Sequence, residues 1–502
     1  MDARSDTTQS DNAKTDQGAV TAVIIGAGMS GLCAAIKLKQ AGIDDFVILE
    51  MTDGVGGTWH DNSYPGSGCD VPSHLYSYSF EPKADWSRLF SLQPEILDYF
   101  EHCADKYGLT PHIRLNTAVA GARFDSVTGR WRVTTQAGEV IDARVLIAGC
   151  GQLNRPYVPD LPGLEDFEGT SFHSARWNHA HDLTGQRVAV IGNGASAVQF
   201  VPQIAPQVER LSIFQRSCNW IIPRKDKPYS GVSKRLFKWL PFLAWLHRSH
   251  IYCIMEMRFA GFRQGGWYAP ILKRMATRHM KAQVPDPELR ARLTPDYPVG
   301  CKRILISDDY YPAIQRDNVD IVTDPIDRIT PTGVRTASGR EVVADTLIFG
   351  TGFQSTGFLA PMEITGLNGR TLDAAWADGA EAYLGLTVAG FPNMFILYGP
   401  NSNLGHNSII FMVERQVEYM VRCVKSLIDR DLLYLDVKAD VMADYNSHVQ
   451  QDLKRSVWDA GCGSWYKTDN GKITNNWPSW SVAYWWRLRH AGLKDFDAVA
   501  RT

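Results

Sequence analysis

The chain has 502 residues, 44% of them hydrophobic and 21% charged, with a formal net charge of −2. That length predicts two or three domains with cores of their own, and the near-neutral balance excludes a global electrostatic case for nucleic acid or an anionic surface as partner. Nine cysteines with no C-x-x-C pair and no zinc spacing exclude a dithiol redox motif and a metal ribbon, and suit a reduced, cytosolic protein. Residues 1–18 are polar and read as a disordered leader with no signal-peptide core. There is no apolar run of the roughly 18 residues that a spanning helix needs. The nearest candidate, Leu236–Leu246, is broken by Lys238 and Pro241 and reads as a buried helix or tunnel wall in preference to a segment that touches a membrane or partner.

A first unit is predicted over residues 19–150. Val20–Ile25 is a short β-branched run of the kind buried in parallel sheets. It leads into Gly26-Ala27-Gly28-Met29-Ser30-Gly31 and then into helical spacing to Gln40. Glycines so placed allow a tight turn, approach to a pyrophosphate and close helix–strand packing, and the helix N-terminus offers free N–H groups to phosphate. A second strand, Phe46–Leu49, ends at Glu50, about 20 residues on, where a carboxylate holds a ribose hydroxyl. An acid there repels a 2′-phosphate, so the site selects FAD or NAD, and the next segment of chain favours flavin. Gly56-Gly57-Thr58-Trp59 and Tyr64-Pro65-Gly66 form a glycine-rich loop with aromatic edges, followed by Cys69-Asp70, Tyr76 and an amphipathic helix from about Pro94 to Lys106. The lesser reading of Asp70 by itself is a turn cap. Leu115–Ala122 and Arg130–Thr135 read as a β-meander, and Arg144–Ile147 as another parallel strand.

A linker over 151–180 leaves through Pro156, Pro159 and Pro162 and carries Phe167–Asn178 midway between two glycine signals. Gly169 is expected to supply an unusual backbone angle. His173 is ionisable and Trp177 large, and the stretch reads as the connector that sets one cofactor against the other. The second unit, 181–352, repeats the first. Arg187–Ile191 precedes Gly192-Asn193-Gly194-Ala195-Ser196-Ala197 and a helix to about Ile204, and the strand Leu211–Phe214 ends at Gln215-Arg216. A guanidinium in place of a carboxylate pairs with a 2′-phosphate, so this site reads as NADPH. Lys225–Pro298 breaks the rhythm as a helical insertion in this domain. Lys302 and Arg303 would ordinarily be a solvated basic pair. Gly350-Thr351-Gly352-Phe353 is a second crossing, residues 353–387 connect, and 388–502 are expected to complete the first domain. The aromatic tail, Trp465-Tyr466 and Trp477 to Trp486, is expected to pack or to form a lid. The fold class is therefore α/β, with two Rossmann-like dinucleotide-binding domains, for FAD and NADP, and a helical insertion in the second.

These residues together resemble the type I Baeyer–Villiger monooxygenases, a branch of the class B flavin-dependent monooxygenases. The family fingerprint, F-x-G-x-x-x-H-x-x-x-W followed by Pro or Asp, matches at Phe167, Gly169, His173 and Trp177, and departs at Asn178. The two glycine motifs, Gly56–Trp59, Tyr64–Gly66, Asp70, Lys302-Arg303 and Gly350–Phe353 match as well, over roughly residues 20–490. Some relatives carry an Arg two residues ahead of Asp70, where this chain has Gly68. The resemblance implies that NADPH reduces FAD, that a C4a-peroxyflavin forms with O₂, and that oxygen inserts beside a ketone carbonyl to give an ester or lactone. It assigns catalysis to Arg303, with Asp70 orienting it, and places Lys302 with Arg216 on the 2′-phosphate. It places Gly57, Thr58, Trp59, Tyr76 and Val119 on the FAD side, and Ala195, Ser196, Ser217 and Trp465 on the NADP side. His173 and Trp177 would act through domain linkage. Flavin oxidation of amines or sulfides is the rival reading, and a flavoprotein that only shuttles electrons is another. No metal is implied.

Overall fold

Short, fully apolar strands organise the molecule. The computed structural model describes residues 19–463 and 465–501; the leader read at 1–18 lies outside the described residues. β1 (Val20–Ile25) and β2 (Phe46–Leu49) pair in parallel, with α1 (Met29–Gln40) between them in sequence. All four β2 side chains are buried, which is why these strands read as continuous apolar runs and not as alternation. The short α2 (Thr58–Asp61) and the amphipathic α3 (Gln93–Lys106) follow, and β3 (Ile113–Arg114) extends the sheet beyond β2. β4 (Val119–Asp125), β5 (Arg130–Thr135) and β6 (Val140–Ala148) form an antiparallel meander. β6 is long enough to serve twice: its start pairs with β5 and its end runs parallel to β1. The strand expected from Leu115 begins four residues later. Asn116 takes a left-handed φ of 52° and the Thr117 N–H bonds back to the Glu50 carbonyl, so this stretch turns before it extends.

The second sheet is wholly parallel, in the order β10-β9-β8-β11-β7, where β7 is Thr170–His173, β8 Arg187–Ile191, β9 Arg210–Phe214, β10 Val319–Val322 and β11 Thr346–Phe349. The connector is therefore more than a tether: its Thr170–His173 is the edge strand of this sheet. Helix α4 (Ala195–Ile204) follows the second glycine turn.

The insertion consists of α5 (Gly231–Trp239), α6 (Pro241–Met257), α7 (Ala269–Gln283) and α8 (Pro287–Leu293). It is anchored on the first unit as well as the second. The Arg248 guanidinium donates to the His74 carbonyl at 2.6 Å and to the Ser77 hydroxyl and carbonyl at 3.1 and 3.0 Å, and the buried Glu256 carboxylate accepts from Asn407 and Ser481 at 2.7 Å each. The reading of Leu236–Leu246 as a buried helix or tunnel wall is corrected. Pro241, lacking an N–H, ends one helix and starts the next, and the resulting corner projects outward with Trp239 78%, Phe242 66% and Trp245 60% exposed.

The chain then returns to the first sheet. β12 (Glu363–Thr365) pairs with β4, β13 (Met394–Ile396) runs beside the end of β6, and α9 (Ile409–Asp429) packs on α1. The tail aromatics mostly pack: Trp477, Tyr466 and Tyr484 are buried, while Trp486 is exposed. The reading of a reduced chain is corrected at one pair. Cys301 and Cys462, 161 positions apart, form a disulfide, and the other seven cysteines are free. Folding brings the tail against the turn ahead of Lys302, a proximity that sequence spacing cannot display. Among the described residues no helix is long and apolar enough to cross a membrane.

Candidate active site

Each of the two sheets carries a cradle at a glycine turn. In the first, Gly26 turns at φ +98°, and a Cβ at Gly31 would stand 1.9 Å from the Gly26 carbonyl oxygen, so the helix can approach the strand only with glycine there. α1 begins at Gly28 with no side-chain cap, which leaves first-turn N–H groups facing outward. Glu50 is buried at the end of β2. One of its oxygens accepts the Ala27 N–H at 2.7 Å and the other accepts from Thr52, so the carboxylate is pinned to the glycine turn with lone pairs to spare. The Gly57 turn folds over Gly28, and the Gly56 N–H donates to the Ala27 carbonyl at 3.1 Å. It starts α2 at Thr58 and buries Trp59, whose indole N–H donates to the Tyr76 hydroxyl at 3.1 Å with the rings edge to face. Val119 lies in the same buried cluster as Ile25 and Leu49, the residues next to Gly26 and Glu50.

The second cradle repeats the design with opposite charge. Gly192 turns at φ +101°, and α4 begins at Gly194, again without a side-chain cap. Gly194 and Ala195 are exposed, Ser196 is half-buried against Tyr64, and Ala197 is buried beneath them. Arg216 stands exposed at the end of β9. Beside it, the Lys302 ammonium donates to the Ser217 hydroxyl at 2.9 Å. Burial lowers the Lys302 pKa against the pull of Asp296, and the Arg216 charge lowers it further. Two cations that repel each other in this way, with Asp296 drawing on Lys302, form a site for a multivalent anion.

Asp70 and Arg303 meet between the cradles. The guanidinium donates from Nε at 3.1 Å and from Nη2 at 2.5 Å to one carboxylate oxygen. Their side chains are 25% and 33% exposed, so the pair is largely but not fully withdrawn from water. Burial alone would raise the Asp70 pKa, but the charge and hydrogen bonds of Arg303 outweigh it and hold the carboxyl below its ordinary value. Asp70 in turn raises the guanidinium pKa above its ordinary value against the cost of burial. Both groups are therefore charged throughout the range in which a protein works. The expectation of a solvated basic pair is thus wrong for Arg303, because tertiary structure supplies a carboxylate 233 positions away.

The connector seats the second sheet. A Cβ at Gly169 would lie 2.3 Å from the Asp345 carbonyl oxygen. Gly169 is not among the residues at positive φ, so the expected unusual angle is corrected: this position requires space and not a left-handed backbone. Phe167 packs at the edge of the cluster under β8 and β11. His173 is buried, its Nδ1 accepts the Ala175 N–H at 3.1 Å, and burial takes its pKa down to about 4. Its ring meets Phe353 of the second crossing edge to face, and Trp177 packs on Phe172 and Phe200. The Trp465 ring lies against Tyr466 at a tilt of 46°, its carbonyl accepts from Ser355 at 2.8 Å, and the nearby disulfide ties its segment to the turn bearing Lys302 and Arg303.

Sequence reasoning missed Arg224 and Tyr398. A Cβ at Gly68 would stand 3.1 Å from the Arg224 guanidinium, which donates to the Cys69 and Phe90 carbonyls at 3.3 and 3.2 Å and adds its charge to that of Arg303 at Asp70. The cation absent at Gly68 is thus supplied from 156 residues downstream. Tyr398, at a left-handed φ of 57°, is an electrostatic neighbour of Arg303. Its only sequence signal is the Gly399-Pro400-Asn401 turn behind it.

Comparison with known proteins gives this arrangement a family. A family profile described as flavin-binding monooxygenase-like matches residues 19–358. The chain belongs to this family. It is 45% identical to a Baeyer–Villiger monooxygenase of Pseudomonas aeruginosa, over 95% of this chain and 90% of that protein, and 43% identical to a Baeyer–Villiger monooxygenase of Streptomyces coelicolor, over 96% and 93%. The fold superposes with a TM-score of 0.86 on the crystal structure of OTEMO in complex with FAD and NADP, at 29% identity, covering 96% of this chain and all of that one.

Proposed function

We propose that the chain is an FAD- and NADPH-dependent monooxygenase that uses O₂ to insert oxygen next to a ketone carbonyl, giving an ester or lactone. One observation carries the reading: a permanently charged guanidinium, Arg303, is held by Asp70 between two dinucleotide cradles of opposite charge. The residues present fit both cofactors. Glu50 keeps lone pairs for ribose hydroxyls and repels a 2′-phosphate, so the first cradle takes FAD through Gly26, Gly28, Gly31, Gly57, Thr58, Trp59, Tyr76 and Val119. Arg216, Ser217 and Lys302 present the charge and hydroxyl that a 2′-phosphate needs, and Gly192, Gly194, Ala195, Ser196 and Ala197 cradle the pyrophosphate of NADPH.

A bound flavin supplies the redox chemistry by which electrons from NADPH activate O₂. The work of the chain is to position and to stabilise. Attack on a ketone puts negative charge on the carbonyl oxygen, and a guanidinium that keeps its proton at every working pH stabilises that charge without acting as an acid. Asp70 takes the Nε–H and one Nη2–H, which fixes the plane of the guanidinium and leaves its other N–H groups for the site. His173 is neutral near pH 7 and turned into the edge of the second sheet, so its part is to hold the connector and not to move a proton. Trp465 closes the NADP side from the disulfide-tied segment. A cytoplasmic setting suits the need for NADPH, and the Cys301–Cys462 disulfide is the feature that speaks against it. Oxidation of amines or sulfides is not favoured, since the relatives at 45% and 43% identity carry the Baeyer–Villiger name over nearly their full lengths.

The test is Arg303→Ala with a panel of aliphatic, cyclic, aryl and steroid ketones. Ester or lactone yield should fall by about 10²-fold or more, while the KM for NADPH moves little. Undiminished ester formation would remove Arg303 from the mechanism.

A further inference from the structure

The corner between α5 and α6 is the most unusual surface of the molecule. Trp239, Leu240, Phe242, Trp245 and Leu246 are 50–78% exposed on adjoining turns, and Phe242 and Trp245 stack with ring centroids 5.8 Å apart. Side chains of this size are seldom left contiguous in water unless something covers them. The corner is firmly held. Phe237 stacks on His247 at 5.2 Å and Arg248 binds the His74 and Ser77 backbone, so the exposed face belongs to a fixed element and not to a loose loop. The insertion that carries this corner is basic. Between Gly231 and Gln283 there are ten Lys or Arg and a single acid, Glu256, which is buried. Arg235, Lys238, Lys273, Arg274, Arg278 and Lys281 are exposed, in a chain whose net charge is −2.

We infer that this corner docks on an anionic membrane surface, with the Trp, Phe and Leu side chains in the headgroup boundary and the basic residues on acidic lipid headgroups. Bulky aromatic and aliphatic groups with Arg235 and Lys238 exposed beside them, on a basic insertion, are the composition of an interfacial anchor. A second copy of the chain suits the face less well: a two-fold contact sets the same patch against itself and brings the exposed Arg235 and Lys238 of both copies together. The anchor lies on the surface and does not span.

The experiment is flotation of the flavin-loaded full-length protein with vesicles of phosphatidylcholine alone and of phosphatidylcholine with 30% phosphatidylglycerol, the latter at low and high salt. The expected result is binding to the anionic vesicles, at least tenfold weaker on the neutral ones and weakened severalfold by salt. A Trp239→Ser, Trp245→Ser double variant should lose that binding tenfold or more while its NADPH consumption with ketone in solution is unchanged. Equal binding of the two proteins, or no binding to anionic vesicles, would overturn the inference. So would a dimer in sedimentation that the double variant converts to monomer, since it would assign the face to a second copy.

Discussion

At the residue scale the deciding contrast is Glu50 against Arg216. Each stands at the C-terminal end of the second strand of its unit, and each position is legible because strand, glycine turn, helix and strand are local and ordered in sequence. Lys302 donates to the hydroxyl of Ser217, the residue after Arg216, and is itself partly buried. Arg216→Ala should raise the KM for NADPH by about 10- to 100-fold, the worth of a charge-assisted phosphate contact, and leave the KM for NADH nearly unchanged. Equal losses with both nucleotides, measured by steady-state kinetics, would show that Arg216 does not read the phosphate. Arg224 illustrates the opposite case. Nothing near it in sequence marks it, and only the packing of its guanidinium against Gly68 and the Cys69 carbonyl brings its charge to Asp70.

At the scale of elements the connector shows how a motif can be recognised with one of its reasons wrong. Phe167, Gly169, His173 and Trp177 are evident as a pattern, yet that pattern does not disclose that Thr170–His173 is a strand paired with β11. Four residues give too little periodicity to identify an edge strand. Gly169 serves there by lacking a side chain, since a Cβ would collide with the Asp345 carbonyl oxygen and the Phe167 ring. Gly169→Ala should therefore cost about 1–3 kcal/mol through overpacking, seen as a lower midpoint in thermal unfolding. An unchanged midpoint would mean that the connector yields easily. The α5–α6 corner is the reverse case, because an apolar run interrupted by Pro241 is equally consistent with burial and with exposure until the elements around it are in place.

At the scale of the whole molecule, the site is assembled from segments that meet only after folding: Asp70 from the loop ahead of α3, Arg303 from beyond the insertion, Tyr398 from the return to the first sheet, and the Trp465 segment from the tail. The Cys301–Cys462 disulfide joins the last of these to the Arg303 turn. Thiol labelling of unfolded, unreduced protein should therefore find seven of the nine cysteines free. Nine would show the pair to be open. If it is closed, Cys462→Ser should destabilise the fold by about 2–4 kcal/mol, with the thermal midpoint of the variant insensitive to reductant. By itself the sequence determined the two dinucleotide units, their opposite charge preference and the family pattern, because strand, turn and helix signals act over a few residues and are written locally. Only the tertiary structure decided the Asp70–Arg303 pair, the supply of a second cation by Arg224, the disulfide and the exposed corner, because each depends on contacts across a hundred residues or more, or on which face of an element its neighbours leave uncovered.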